Sequence, residues 1–147
     1  RLKNQVYSID FIREIIEQAA IVYNSKKSGI VEIGGGVPKN TAQQTGPLLD
    51  QILGLEHGGQ NYIIQITDAR PDTGGLSGAT LQEGKSWGKI KDSHENVITV
   101  YADATIAFPV LCLYALSQEK PRKPKRLYKK LDRYYKSLAK TYFSKKH

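Results

Sequence analysis

The sequence predicts an α/β fold: a doubly wound, mostly parallel sheet with helices on both faces, followed by a basic C-terminal helix. Three observations carry this reading. Helix-like and strand-like stretches alternate through residues 1–118; the first strand candidate runs straight into three glycines, as the strands of ligand-binding α/β sheets do; and the composition turns sharply basic after residue 118.

Taken in order, Ile9, Phe11, Ile12, Ile15, Ile16, Ala19 and Ala20 recur at helical spacing from Ser8 to about Tyr23, with Ser8 or Asp10 available as the cap. After the polar turn 25–28, Gly29-Ile30-Val31-Glu32-Ile33 reads as a buried strand ending at Gly34-Gly35-Gly36, where the backbone can take positive φ and approach a ligand closely. A helix is expected from Thr41 to about Leu55, its beginning broken by Gly46-Pro47, and a second strand from Tyr62 to Thr67. Asp68 to Ser77 is a polar loop long enough to fold over a site, and Ala79 to Trp87 a short helix. Val97 to Tyr101 is the third strand; Asp103 stands at its end, ahead of the helical run Ala104 to Gln118. From that position Asp103 can accept a hydrogen bond from a ribose hydroxyl or cap the next helix. Right-handed crossovers would bring the strand ends near Gly34, Thr67 and Ala102 to one edge of the sheet, converging on one site.

Net charge is +8, but residues 1–118 hold 10 Lys/Arg against 12 Asp/Glu, and residues 119–147 hold 12 against 2. All the excess positive charge therefore lies in the tail, and the basic balance says nothing about the active region. Residues 119–126 read as a proline-broken basic linker. Leu127, Leu131, Tyr134, Leu138 and Tyr142 then give one side of a helix over 127–147, which either docks by that stripe or offers its lysines to RNA or an acidic membrane. The longest apolar stretch, Ala104 to Leu116, is too short to span a bilayer and contains Pro109. Cys112 can form no internal disulfide and packs as a small hydrophobe, which fits a reducing, cytoplasmic setting; His57, His94 and His147 are too scattered to form a metal site. A start at Arg1 without a signal pattern makes the sequence look like a piece of something longer.

Chemistry concentrates at Glu83-Gly84-Lys85-Ser86-Trp87-Gly88-Lys89-Ile90, where a lysine follows the only tryptophan by two residues. A lysine is a nucleophile only as the neutral amine, and burial or a nearby positive charge lowers its pKa. Lys89 is therefore the candidate imine-forming lysine; the alternative is a surface lysine laid along a half-buried indole.

Gly34-Gly35-Gly36-Val37-Pro38-Lys39, Gly74-Gly75-Leu76-Ser77-Gly78-Ala79, Glu83, Ser86-Trp87-Gly88-Lys89-Ile90 and Val100-Tyr101-Ala102-Asp103-Ala104 stand in the order found in deoxyhypusine synthase, which the chain resembles over roughly residues 5–118. The resemblance implies a Rossmann-like fold, with residues 1–118 the C-terminal portion of an NAD-binding domain, in a cytoplasmic homotetramer. It implies an NAD-dependent aminobutyl transferase that takes the four-carbon fragment of spermidine onto a lysine and passes it to a lysine of the translation factor 5A precursor. Carried across, Lys89 would form the imine, Glu83, Trp87, Asn40, Gly74 and Gly75 would meet the polyamine, and Gly35, Thr67, Asp103 and Ala104 would meet NAD. Two departures, Asn40 in place of histidine and Leu76 in place of a polyamine-contacting aspartate, look like the bacterial branch. The alternatives are homospermidine synthase, which uses a free diamine as acceptor, and a non-catalytic subunit; the family's N-terminal part would be a separate or missing chain.

Overall fold

The computed structural model describes residues 8–91, 96–118, 120 and 122–145. Three strands, β1 (Gly29–Ile33), β2 (Tyr62–Thr67) and β3 (Val97–Tyr101), form one parallel sheet in the order β1-β2-β3. Gly29 pairs with Tyr62 and Ile63 with Val97, so β2 is central, and Ile63 and Ile66 are buried. Parallel pairing requires crossovers, here made by helical segments, and the fold is mixed α/β as the alternation predicts.

Helix α1 (Phe11–Tyr23) opens on Asp10, whose carboxylate accepts from the Arg13 N–H at 3.0 Å, so Asp10 rather than Ser8 is the cap. Only the second half of its apolar stripe is covered: Ala19 and Ala20 are fully buried, whereas Ile9, Phe11 and Ile12 are exposed.

The next helix differs from the expectation. It begins at Val37, not Thr41, because Pro38 sits in its first turn, where a missing N–H costs nothing. This α2 (Val37–Gln43) leads through a single turn, α3 (Thr45–Pro47), into a π turn at Leu48–Ile52. Pro47 cannot donate to the ladder, and the chain rewinds with Leu53 N–H bonded to Leu48 C=O at 3.0 Å, five residues back. Helical structure thus ends at Ile52 and does not reach Leu55, although Leu49 and Leu55 are both buried.

Short 3-10 turns at Pro71–Thr73 and Leu76–Gly78 shape the long loop, and α4 (Leu81–Ser86) is trimmed at both ends from the expected span. Thr80 caps α4 by accepting from Glu83 N–H, the T-x-x-E pattern of a capping box. α5 (Ala104–Gln118) follows β3 and leaves Ile106, Val110, Leu113, Tyr114 and Leu116 exposed. A 3-10 turn at Leu127–Lys130 leads into α6 (Leu131–Lys145).

α6 docks on α1. Leu138 joins Ala19, Ala20, Leu49 and Leu55 in one buried cluster with Tyr134 packed against it, and Asn24 Nδ2 donates to Tyr134 C=O at 3.2 Å. A second cluster, Ile63, Leu81 and Ile90 with Val97 against them, lies between sheet and α4. No helix among the described residues is long and apolar enough to cross a membrane.

Candidate active site

Lys89 leaves α4 through a turn that backbone contacts fix. Gly88, at φ +72°, ends the helix, and Lys89 N–H bonds Gly84 C=O at 3.0 Å. Gln60 then holds the segment from the other side: its N–H donates to Lys89 C=O and its C=O accepts from Lys91 N–H, each at 2.9 Å, forming a short parallel bridge beside Ile90. Gly59, at φ +83°, packs so closely that a Cβ there would stand 2.5 Å from the Lys89 carbonyl carbon. Ile90 is buried beneath, which commits the neighbouring lysine to the cleft above.

The Lys89 side chain is 5% exposed, and its Nζ donates to Asn40 Oδ1 at 2.8 Å and lies 4.8 Å from the centre of the Trp87 ring. Trp87 itself is 59% exposed, so the indole is the outer wall and the amine the inner end. Burial, then the charge of Lys39, holds Lys89 below the ordinary lysine range, while Glu32 and Glu83 pull it back up.

A cleft of about 220 Å³ contains Lys89, Asn40, Glu83, Trp87, Gly74 and Gly75, every residue expected at the reacting and polyamine-binding end. The Glu83 carboxylate, on an exposed residue, accepts from the hydroxyl of the half-buried Thr80 at 3.2 Å. A larger groove, about 460 Å³, lies between the first turns of α1 and α6 and carries none of this chemistry.

The residues expected at the cofactor do not line that cleft. They stand at the carboxyl ends of the strands: Gly35 at φ +102° after β1, Thr67 ending β2, Asp103 and Ala104 after β3. Gly35 is required by packing as well as by its φ, since a Cβ would meet Lys39 Cβ at 2.8 Å. Thr67 is buried and its hydroxyl accepts from Ala69 N–H. Asp103 caps α5: Oδ1 accepts from the Thr105 hydroxyl at 2.6 Å and its N–H at 2.7 Å, and these bonds lower the carboxyl's pKa. A separate hollow lined by Asp68, Arg70, Pro71, Asp72, Tyr101 and Ala102 opens beside that end.

Sequence reasoning missed Lys39, Glu32 and Gln43. Lys39 is 6% exposed and its Nζ donates to Ala79 C=O at 2.8 Å and Leu76 C=O at 3.3 Å, tying α2 to the loop that walls the cleft. Glu32, 4% exposed, accepts from Gln43 Nε2 at 2.6 Å. The available signal was a carboxylate inside an otherwise apolar strand, which needs partners to be buried. Among the described residues no group of three or more His, Cys, Asp or Glu is arranged to hold a metal.

Against known proteins, the deoxyhypusine synthase family model matches residues 1–115. The chain belongs to the deoxyhypusine synthase family. It is 49% identical over 139 residues to the deoxyhypusine synthase-like protein of Nostoc punctiforme, covering 90% of this chain and 35% of that protein. It is 50% identical over 103 residues to the probable deoxyhypusine synthase 2 of Archaeoglobus fulgidus, covering 70% of this chain and 34% of that protein. This member of the deoxyhypusine synthase family thus spans about a third of the length of these relatives. Because residues 119–147 are 29 of 147, a match to 90% of the chain must enter the basic segment, beyond the reach of the deoxyhypusine synthase family model.

Proposed function

We propose that this chain carries the reacting lysine of an NAD-dependent aminobutyl transferase of the deoxyhypusine synthase type. The observation that carries the reading is Lys89: an amine 5% exposed, bonded to Asn40, set over an indole and inside a cleft with a carboxylate at its side. The neutral amine of Lys89 would add to the oxidised carbon of spermidine; diaminopropane leaves as its C–N bond breaks, and the aminobutyl group stays on Lys89 as an imine until an acceptor amine displaces it. Glu83 would pair with a substrate ammonium, Trp87 would pack on its methylenes, Gly74 and Gly75 would let it approach the backbone, and Asn40 would aim the Lys89 amine.

NAD, when bound, supplies the hydride acceptor for the oxidation and returns the hydride at the end. Its fit rests on the strand ends: Gly34 and Gly35 at positive φ beside β1, and Asp103 with both capping bonds on Oδ1 and an exposed carboxylate. We assign Gly35, Thr67, Asp103 and Ala104 to that side; the Thr67 hydroxyl, turned to Ala69, would act through its loop.

For the whole protein we propose a doubly wound sheet completed by an N-terminal part, with residues 1–118 as the C-terminal portion of the NAD-binding domain, 119–126 as linker and 127–147 as the docked helix. The assembly would be a cytoplasmic homotetramer. Because α6 docks by Leu138 and Tyr134, its exposed Arg133, Lys136 and Lys140 leave RNA as a secondary contact, tested by whether binding weakens with salt.

Borohydride reduction of the chain with its N-terminal part, NAD and labelled spermidine, followed by peptide mapping, tests the reading. Label on the Lys89 peptide is expected; its absence would overturn it. Supplying the translation factor 5A precursor or putrescine as acceptor then separates deoxyhypusine synthesis from homospermidine synthesis.

A further inference from the structure

Three charged side chains are buried at the cleft: Lys39 on α2 and Lys89 after α4 in its lining, and Glu32 on β1, bonded to the lining residue Gln43, each at 6% exposure or less. Ions so placed are costly unless they answer one another. Asn40 and Gln43, three residues apart on one face of α2, connect them: Asn40 Oδ1 accepts from Lys89, and Gln43 Nε2 donates to Glu32 Oε1. The second carboxylate oxygen, Glu32 Oε2, is buried with no hydrogen-bond partner among the described residues, which leaves it open to charges nearby. The two lysines are unequal. Among the described residues Lys39 gives hydrogen bonds to two carbonyls, whereas Lys89 has the single acceptor Asn40 and the Trp87 face.

We propose that Glu32 is a positioning residue for the reacting amine: its buried carboxylate is the counter-charge that, set against Lys39, decides whether Lys89 carries a proton. The inference rests on Lys89 being the reacting amine. Lys39 keeps the positive charge among its carbonyls, and Lys89 is the lysine that gives its proton up. The charged groups acting on Lys89 are Glu32 from β1, Lys39 from α2 and Glu83 from α4; the two carboxylates favour its ammonium form and Lys39 disfavours it.

The test is reductive methylation of the chain with formaldehyde and cyanoborohydride across a pH series, with labelling of Lys89 followed by peptide mass spectrometry and folding checked by circular dichroism. Glu32→Gln removes the counter-charge, and the Lys89 midpoint should move down by about one pH unit, about tenfold faster labelling below the midpoint. Lys39→Gln removes the opposing charge, and the midpoint should move up by a similar amount. Damage that merely admits water would move both variants upward, toward an ordinary lysine. A Glu32→Gln midpoint that stays or rises overturns the proposal; should that variant not fold, a Lys39→Gln midpoint that stays or falls does so. Neither spermidine nor NAD is present, so a failed aminobutyl transfer and a failed role for Glu32 are told apart.

Discussion

Lys89 Nζ and Asn40 Oδ1, 49 residues apart in the chain, meet at 2.8 Å, and that bond joins the segment after α4 to α2 across the cleft. Asn40 also occupies the place where the family's eukaryotic pattern has histidine, so the amine is held here by a neutral amide.

Replacing Asn40 with Ala should therefore leave the fold intact and cut borohydride-trapped aminobutyl adduct by about tenfold, the worth of a hydrogen bond of about 1.4 kcal/mol. Lys89→Arg should abolish the adduct altogether, since guanidinium stays protonated. Adduct yield per subunit, read by mass spectrometry, checks both.

Stability should depend on pH at two separate windows. Lys89 and Lys39 have folded values below the ordinary 10.5, mainly because burial disfavours their charge, so up to 10.5 the unfolded chain holds protons the folded chain has released and stability rises with pH. Glu32, raised by burial above 4.5, keeps a proton the unfolded chain has lost, so stability falls as pH climbs from 4.5 through its folded value. Urea unfolding across pH should show both slopes, and the lower one should vanish in Glu32→Gln.

Gly59→Ala should be strongly destabilising, by about 2–3 kcal/mol, because the residue holds φ +83° and the new methyl would meet the Lys89 backbone. Equilibrium denaturation measures it. An unchanged midpoint would mean that the Gln60–Ile90 bridge gives way without cost.

Leu138→Ala opens a void against Ala19, Ala20 and Leu49 and should cost about 2–4 kcal/mol, whereas Lys136→Gln or Lys140→Gln on the exposed side should stay within about 0.5 kcal/mol. Thermal melts of the three variants check whether α6 is part of the fold through its apolar stripe alone.

Leu76→Asp restores a carboxylate to the cleft rim. At an exposed position it should tighten spermidine binding by about two- to fivefold, an effect lost in high salt and readable by calorimetry.

Much of this was legible in the order of residues. β1, β2 and β3 fall where their apolar runs predict, and Asp10 is one of the two caps expected for α1, because strand and cap signals are local. The bounds of α2 are not set by apolar spacing, because Pro38 fits the first helical turn and Pro47 diverts the helix into a π turn.

The sequence by itself determined the mixed α/β class, the family, and the stretch holding Lys89, since each depends on spacing within short segments. Only the tertiary structure decided that Lys89 is enclosed, that Asn40 is its partner, and that Lys39 and Glu32 are buried behind it. Those facts depend on how β1, α2 and the turn after α4 come together, and the desolvation and charge that tune an amine arise from neighbours distant in the chain.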